Sequence, residues 1–326
     1  MTTTRFEFDE VGTAATGGRL LGSYLAEILD TFTTRRLTQA GVAEGSRCLV
    51  IGADAGSIAG WLADRAGSDG EVVVADTDPS HVPAYPGVTA LRHDPATDPL
   101  VEDDFDLVYV RSVMACLPGR RGLLARLATA LSPGGVIVLD ELEAGFGPGI
   151  LYAPDPDAHR LFARYQQALD TVLRRAGIHP WSYPTHRVMR EAGLVGVDTE
   201  CWSRSWRGGE PGCLLPRALA AQLFDDLTEA GIARPDLAAF RGILLDSRLV
   251  VRGCPVVSTI GRKPATATDG WFAAVPVGAP AAAGTSPAAA GSVAGVSPVP
   301  DRLSRCASPS RGSPIFGRIG PHPSRP

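Results

Sequence analysis

Three short segments carry residues that could hold a nucleoside. The glycine-containing turn GADAG at residues 52–56 lies between an apolar run and a helical segment, so its backbone N–H groups can approach a ligand closely. Asp76 follows a second apolar run, 24 residues after Gly52, where a carboxylate can accept hydrogen bonds from ribose hydroxyls. Asp94 follows a third run and can accept a hydrogen bond from a purine amino group. Either aspartate could instead be an exposed turn residue, but together the three segments predict a nucleoside site.

These segments need a sheet that brings them to one edge. Apolar runs of strand length alternate with helical segments, and they lie at residues 48–52, 71–75, 88–92, 105–110 and 136–139. Continuous apolar strands that alternate with helices predict a parallel sheet covered on both faces. Ligands bind at the carboxyl ends of the strands in such sheets. The turn and both aspartates would therefore converge on one edge.

The remaining elements are predicted from periodicity. Residues 14–40 read as two helical pieces, and further helices are expected at about 121–131, 156–176, 185–192, 214–231 and 234–246. Residues 195–206 alternate like a sheet strand, and 255–261 form a final strand.

Five motifs occur in a characteristic order: CLVIGADAGSIAGWLA, VVVADTDP, LRHDPATDPL, FDLVYVR and LSPGGVIVLDE. Over roughly residues 32–264 the sequence resembles the class I S-adenosylmethionine-dependent methyltransferases, particularly an actinobacterial-looking group that acts on small molecules. The resemblance implies an α/β fold with a Rossmann-like, seven-stranded, mostly parallel sheet and helices on both faces. It implies an N-terminal helical lid at 1–40 and a methyltransferase domain at 41–264 with a cap-like insertion around 145–192. LSPGG would form the turn before the fifth strand, and 256–261 the antiparallel seventh strand.

The resemblance also implies S-adenosylmethionine as the cofactor. The loop at 52–56 would hold the methionine portion, Asp76 the ribose hydroxyls and Asp94 the adenine amino group. Arg111 and Ser112 would border cofactor and substrate. The cofactor-binding residues implied in this way are Gly52, Ala53, Asp54, Gly56, Asp76, Thr77, Asp94 and Arg111.

Two departures from the family pattern keep a second function open. The acidic residue that these enzymes commonly carry in the first strand is Val50 here, and Asp54 stands in place of the middle glycine. The first hypothesis is a methyltransferase that acts on a small molecule, such as a specialised metabolite. The alternative is a cofactor-degenerate protein of this fold that serves as a binding or partner subunit or in non-methylating chemistry. A nicotinamide oxidoreductase is disfavoured because the GxGxxG pattern is missing.

Methyl transfer leaves little catalytic signature, because positioning and water exclusion do most of the work. We therefore assign no catalytic residue from the sequence. Side chains that could contribute lie in the variable stretch and near it: His159, His179, His186, Tyr152 and Tyr183. His179 is the candidate base, against a surface role, whereas Trp181, Trp202 and Trp206 could line an aromatic pocket or fill the core. Cys116 is expected to pack rather than react.

Composition excludes several classes of partner. The chain is 44% hydrophobic and 20% charged, and residues 1–264 hold 26 basic and 33 acidic residues. This balance disfavours nucleic acid and anionic membrane surfaces, which need clustered Lys and Arg. We expect a small-molecule substrate as the partner and no metal, and an oligomer stays open.

The ends of the sequence and its cysteines bear on location. The start MTTTRFEFDE is unlike a secretory signal, and no run approaches the ~20 apolar residues that span a bilayer. We therefore expect a cytoplasmic protein with reduced, mostly buried thiols. In residues 265–326, 39 of 62 are Ala, Gly, Pro or Ser, a composition that predicts a disordered tail.

Overall fold

The computed structural model describes residues 14–52, 56–100, 104–143 and 149–266. Seven strands in these ranges form one sheet in the order β3-β2-β1-β4-β5-β10-β7. Strands β1 to β5 are parallel, whereas β10 lies antiparallel between β5 and β7. The predicted Rossmann-like, mostly parallel sheet is therefore confirmed. Its strands are β1 (Arg47–Ile51), β2 (Glu71–Asp76), β3 (Val88–Arg92), β4 (Phe105–Arg111), β5 (Leu131–Leu142), β7 (Val195–Trp202) and β10 (Val256–Arg262).

Helices cover both faces of this sheet. They are α1 (Ala14–Ala40), α2 (Ser57–Ala66), α3 (Arg120–Ala130), α4 (Ala158–Arg175), α5 (Ser182–Glu191), α6 (Pro211–Gln222), α7 (Phe224–Glu229) and α8 (Arg234–Ile243). Alternate residues of β1 and β2 face opposite sides, so Val50 and Val74 pack with α2 and the end of α1, whereas Leu49 and Val73 share a core with α3 and α5. No helix in the described ranges is long and apolar enough to cross a membrane.

Helix α1 runs without a break, so the predicted division into two pieces is wrong. The two threonines that suggested a break both have hydrogen-bond partners in the helical conformation. Thr34 Oγ1 donates to the Asp30 carbonyl oxygen at 2.8 Å, and Thr33 Oγ1 donates to Asp140 Oδ2 on β5 at 2.7 Å. The second bond is buried and ties the middle of α1 to the sheet.

A second, antiparallel sheet was not predicted. It has the order β6-β9-β8, with β6 at Gly149–Tyr152, β8 at Ser205–Arg207 and β9 at Val250–Arg252. The strand expected at 195–206 is therefore divided, because Ser203 Oγ donates to the Gly253 carbonyl and the Gly253 N–H donates to the Arg204 carbonyl, at 2.8 Å each. These bonds turn the chain out of the first sheet.

Three further predictions need correction. The helix expected at 214–231 is interrupted after Gln222 and resumes as α7. LSPGG belongs to β5 itself, where a register shift against β4 accommodates Gly134 at φ 82°. Of the five cysteines that the structure describes, Cys48 and Cys213 are buried, whereas Cys201 is exposed, so the thiols are not mostly buried.

A third core joins α1 to α4, α6, α7, α8 and the second sheet. Leu25 and Leu29 of α1 pack there against Phe162 and Tyr165 of α4. The Tyr165 ring stacks on Phe240 of α8 with centroids 4.0 Å apart. Ala53 and Asp54, together with residues 267–326 of the predicted tail, lie outside the described residues.

Candidate functional site

The carboxyl edge of the parallel strands collects the predicted site residues. Gly52 follows β1, Asp76 ends β2, Asp94 comes two residues after β3 and Arg111 ends β4. Since β1 pairs with both β2 and β4, and β3 pairs with β2, these positions follow neighbouring strands. The structure thus places them along one edge, where sheets of this kind bind ligands.

The turn after β1 requires glycine at its first position. Gly52 has φ 82°, a left-handed conformation that other residues adopt at a cost. A Cβ atom at this position would lie 2.4 Å from Val113 Cγ2 and 3.0 Å from the Arg111 carbonyl oxygen. The backbone at Gly52 therefore fits tightly against the segment that follows β4.

The start of helix α2 also requires a glycine. Gly56 caps α2 at φ 77°, and a Cβ there would lie 2.8 Å from Pro83 Cδ. Helix α2 thus begins at the carboxyl edge of the sheet, and the N-terminal end of a helix favours an anionic group.

Turns of the backbone orient the two aspartates. Asp76 Oδ1 accepts the Asp78 N–H at 2.9 Å, and Asp94 Oδ1 accepts the Ala96 N–H at 2.9 Å. Both side chains are half-buried, as is Thr77 beside Asp76. Each carboxylate is therefore held in a fixed direction at the end of its strand.

Arg111 connects β4 to helix α1. Its side chain is 2% exposed, and its Nη1 forms an ion pair with Asp30 Oδ1 at 2.8 Å. Nη2 donates to the Leu25 carbonyl oxygen at 2.9 Å. The guanidinium thus fixes α1 over the carboxyl edge of the sheet.

A cavity of ≈ 150 Å³ opens beyond this edge, between the strand ends and the helices of the third core. Its walls come from α1, α4, α6 and β8 and are mostly apolar. They include Leu21, Leu25, Ile28, Leu169, Leu173, Leu215, Leu219 and Trp206.

Three polar side chains interrupt the apolar walls. Ser112, just after β4, contributes a buried Oγ that has no hydrogen-bond partner among the described residues. Gln166 of α4 contributes a buried Nε2 that also has no hydrogen-bond partner among the described residues. Glu141, near the end of β5, contributes a carboxyl group that is only 1% exposed. Buried polar atoms normally have partners, so this cavity has hydrogen-bonding capacity to offer a ligand.

Burial dominates the ionisation of Glu141. Its Oε1 accepts the Met114 N–H at 2.9 Å and its Oε2 accepts the Ala115 N–H at 3.4 Å, both of which favour the charged form. Loss of water outweighs them and raises the pKa of Glu141 to about 7. This carboxyl therefore titrates near neutral pH.

We predict that Glu141 makes stability depend on pH. Because the native pKa lies above the usual value of 4.5, the native state binds the proton more tightly, and this stabilisation is full at low pH and lost as the pH rises to about 7. Relative to Glu141→Gln, which does not titrate, the wild type should lose on the order of 3 kcal/mol of unfolding free energy across that interval. Urea titrations of both proteins at pH 5 and pH 8 measure this difference. A difference that is independent of pH would contradict the raised pKa.

A comparison with protein families bears on this edge of the sheet. Residues 49–139, which run from β1 into β5, match the family model described as a methyltransferase domain. The match covers the strands that carry the glycine turn, both aspartates and Arg111. Over this part of the chain the sequence therefore resembles a methyltransferase domain. This match agrees with the methyltransferase family expected from the sequence, whereas the S-adenosylmethionine cofactor and the actinobacterial small-molecule subtype stay predictions.

Solved methyltransferases resemble the chain over most of its length. Phosphoethanolamine N-methyltransferase 2 of Haemonchus contortus, in complex with S-adenosyl-L-methionine, is 14% identical, with 81% of this chain and 60% of that chain covered and a TM-score of 0.48. A SAM-dependent methyltransferase of Aquifex aeolicus is 12% identical, with 76% and 98% covered and a TM-score of 0.41. An arsenic(III) methyltransferase of Chlamydomonas reinhardtii is 20% identical, with 69% and 65% covered and a TM-score of 0.38. A search of curated proteins found no match.

The structure separates the remaining candidate side chains that the sequence offered. Trp206 lines the cavity, but Trp181 lies in the core under the Arg120 guanidinium, and Trp202 stacks on Phe32 with centroids 5.4 Å apart. His159 and His179 are exposed, and His186 Nδ1 lies 2.8 Å from Thr199 Oγ1. The three histidines are not part of the described cavity wall.

Sequence reasoning missed Glu141 and the unusual backbone of Ser112. Ser112 has φ 52°, one of two non-glycine residues at positive φ within the described ranges. A charged residue at the end of an otherwise apolar strand was the available signal for Glu141. The positive φ of Ser112 had no signal in the sequence.

Proposed function

We propose that this chain transfers the methyl group of S-adenosylmethionine to a small, largely apolar molecule, such as a specialised metabolite. The cavity beside the methyltransferase domain carries this proposal, because apolar side chains form most of its wall. Small-molecule sites are commonly apolar clefts with a few placed polar groups. A cavity of ≈ 150 Å³ suits a molecule built around one ring, since a cavity of similar volume in another protein binds benzene.

The residues at the carboxyl edge fit the cofactor. The tight backbone at Gly52 and the helix start at Gly56 suit the methionine portion, to which the sequence pattern also assigns Ala53 and Asp54. Asp76, with Thr77 beside it, would bind the ribose hydroxyls, and Asp94 the adenine amino group. Arg111 would act from behind this site by holding α1.

The bound cofactor would supply an electrophilic methyl group on a sulfonium. The chain would contribute positioning and the exclusion of water, which are the main requirements of such a displacement. Leu21, Leu25 and Ile28 of α1 close one side of the cavity, and Leu215 and Leu219 of α6 close another. These side chains would keep the acceptor dry and hold it against the strand ends.

We predict that S-adenosylhomocysteine raises the melting temperature and that Asp76→Ala reduces this effect. A ligand at 100 times its Kd adds about 2.7 kcal/mol. Removing Asp76 should cost roughly 1.5 to 3 kcal/mol of binding, because a hydrogen bond to a charged group is lost. Calorimetric titration of both proteins measures the loss.

Asp69→Ala is the matched control, since Asp69 is an exposed aspartate in the turn before the opposite end of β2. It should bind like the wild type. If the folded protein shows no change in melting temperature with millimolar S-adenosylhomocysteine, the proposal is wrong and the cofactor-degenerate alternative is favoured. Stabilisation by NAD instead would point to nicotinamide chemistry.

A further inference from the structure

Two polar groups meet the cavity from the ends of adjacent strands. Ser112 follows β4 and Glu141 lies near the end of β5, and these strands are neighbours in the sheet. The Ser112 N–H donates to the Asp140 carbonyl oxygen at 2.8 Å, which ties the backbone at Ser112 to the residue preceding Glu141. Both side chains therefore belong to the floor that the sheet gives to the cavity.

Two features of Ser112, its backbone conformation and its buried hydroxyl, indicate a role in binding. Its left-handed backbone is strained for a side chain with a Cβ atom, and such strain persists only where the surrounding structure imposes it. Its buried Oγ has no hydrogen-bond partner in the part of the chain that the structure describes. A glycine would relieve the strain and remove the unsatisfied hydroxyl, so folding alone does not explain the serine.

The Glu141 carboxylate can accept hydrogen bonds, but because it is buried few water molecules can donate them. Backbone N–H groups of Met114, Ala115 and Val113 already bond this carboxylate, which has about four acceptor positions, so at least one position is left for a ligand. Two charged groups act on Glu141: Asp140 on its own strand and Arg120 of α3. Burial raises the pKa of Tyr165 and of Cys254 in the cavity wall, so these two side chains stay neutral at ordinary pH. A ligand O–H or N–H would therefore meet a carboxylate in a dry, apolar setting, where such a bond is strong.

We propose that Ser112 and Glu141 form a polar recognition subsite that selects methyl acceptors with a hydroxyl or amine hydrogen on a single ring. The ring lies against the apolar wall, and its O–H or N–H donates to Glu141 while Ser112 Oγ bonds the same heteroatom. This inference rests on the proposed function for its meaning, and it assigns the subsite that holds the nucleophilic atom.

Phenol and toluene test the subsite because they have the same shape and differ in one O–H against one methyl group. Isothermal titration of the full chain, with and without S-adenosylhomocysteine, should show phenol binding at least about tenfold more tightly than toluene. This preference should strengthen as the pH rises through 7, because the charged carboxylate is the better acceptor. Glu141→Gln should reduce the preference and remove its pH dependence.

Glu143→Gln is the matched control, since Glu143 is a buried carboxylate near the same strand end that bonds Ser182 Oγ and is not part of the described cavity wall. It should keep the preference for phenol. Ser112→Gly should lose the preference while its melting temperature rises by about 2 to 5 °C, since backbone strain is relieved. If Ser112 had only a structural role, its replacement by glycine would change the melting temperature without changing the preference for phenol.

Equal affinities for phenol and toluene in the wild type, or an undiminished preference in Glu141→Gln, would overturn the subsite. Failure of both ligands to bind would also overturn it. The proposed cofactor function has its own readout, because stabilisation by S-adenosylhomocysteine does not depend on the ring ligand. A protein that binds this cofactor product but does not distinguish phenol from toluene would therefore refute the subsite alone.

Discussion

Gly52→Ala should melt well below the wild type and lose S-adenosylhomocysteine binding. The added methyl group would stand 2.4 Å from Val113 Cγ2 and 3.0 Å from the Arg111 carbonyl oxygen, so the turn or the segment after β4 must move. Left-handed strain costs about 1 to 2 kcal/mol, and overpacking costs roughly 1 to 3 kcal/mol more. Displacement of the turn should reduce affinity by about 100-fold or more, a loss of about 2.7 kcal/mol. Thermal unfolding and calorimetric titration measure the two effects.

Gly45→Ala separates backbone strain from crowding. Gly45 has φ 79°, close to that of Gly52, but no atom lies within 4 Å of the position that its Cβ would take. This variant should lose only the strain energy and should bind the ligand normally. Equal behaviour of the two variants would show that the close approach at Gly52 has no role in the site.

Asp30→Ala should produce the second large effect. Arg111 is buried with its guanidinium 2.8 Å from the Asp30 carboxylate, so the substitution strips a close opposite charge from a buried cation. Breaking such a pair typically costs 3–5 kcal/mol. Because Leu21, Leu25 and Ile28 of the same helix wall the cavity, a loosened α1 should also weaken ligands that bind there.

Urea unfolding of Asp30→Ala and Asp225→Ala tests this explanation. Asp225 also pairs with an arginine, Arg234 at 3.4 Å, but its side chain is 91% exposed. Solvent screens such a pair, and its loss should cost less than about 1 kcal/mol. If both variants lost the same small amount, the pair between Asp30 and Arg111 would not fix α1.

The sheet could be predicted from the sequence because its strands have a strong local signal. The runs at 71–75 and 105–110 are apolar almost throughout, since both faces of the sheet are covered. Strands β6 and β9 were missed because they have four and three residues, too few to show alternation. The end of β7 was also misplaced, because the bonds of Ser203 and Gly253 join positions 50 residues apart.

The candidate site also has one part that the sequence predicts and one part that it does not. The turn and the aspartates stand next to strand ends in the sequence, so local reasoning located them. The polar floor of the cavity depends on contacts across the chain, such as Met114 N–H to Glu141 over 27 residues and Arg111 to Asp30 over 81 residues. Spacing in the sequence does not encode such partners.

The strand order has a consequence for how the domain assembles. β7 pairs in the first sheet with β10 and not with β5, although it is made about 60 residues earlier in the chain. During synthesis, residues 195–202 therefore leave the ribosome before the strand that will join them to the sheet exists. Segments that wait for a distant partner are slow to settle and exposed to wrong pairing. We expect the segment from β1 to β5 to gain structure first, and β7 and β10 to be the part that depends most on chaperones.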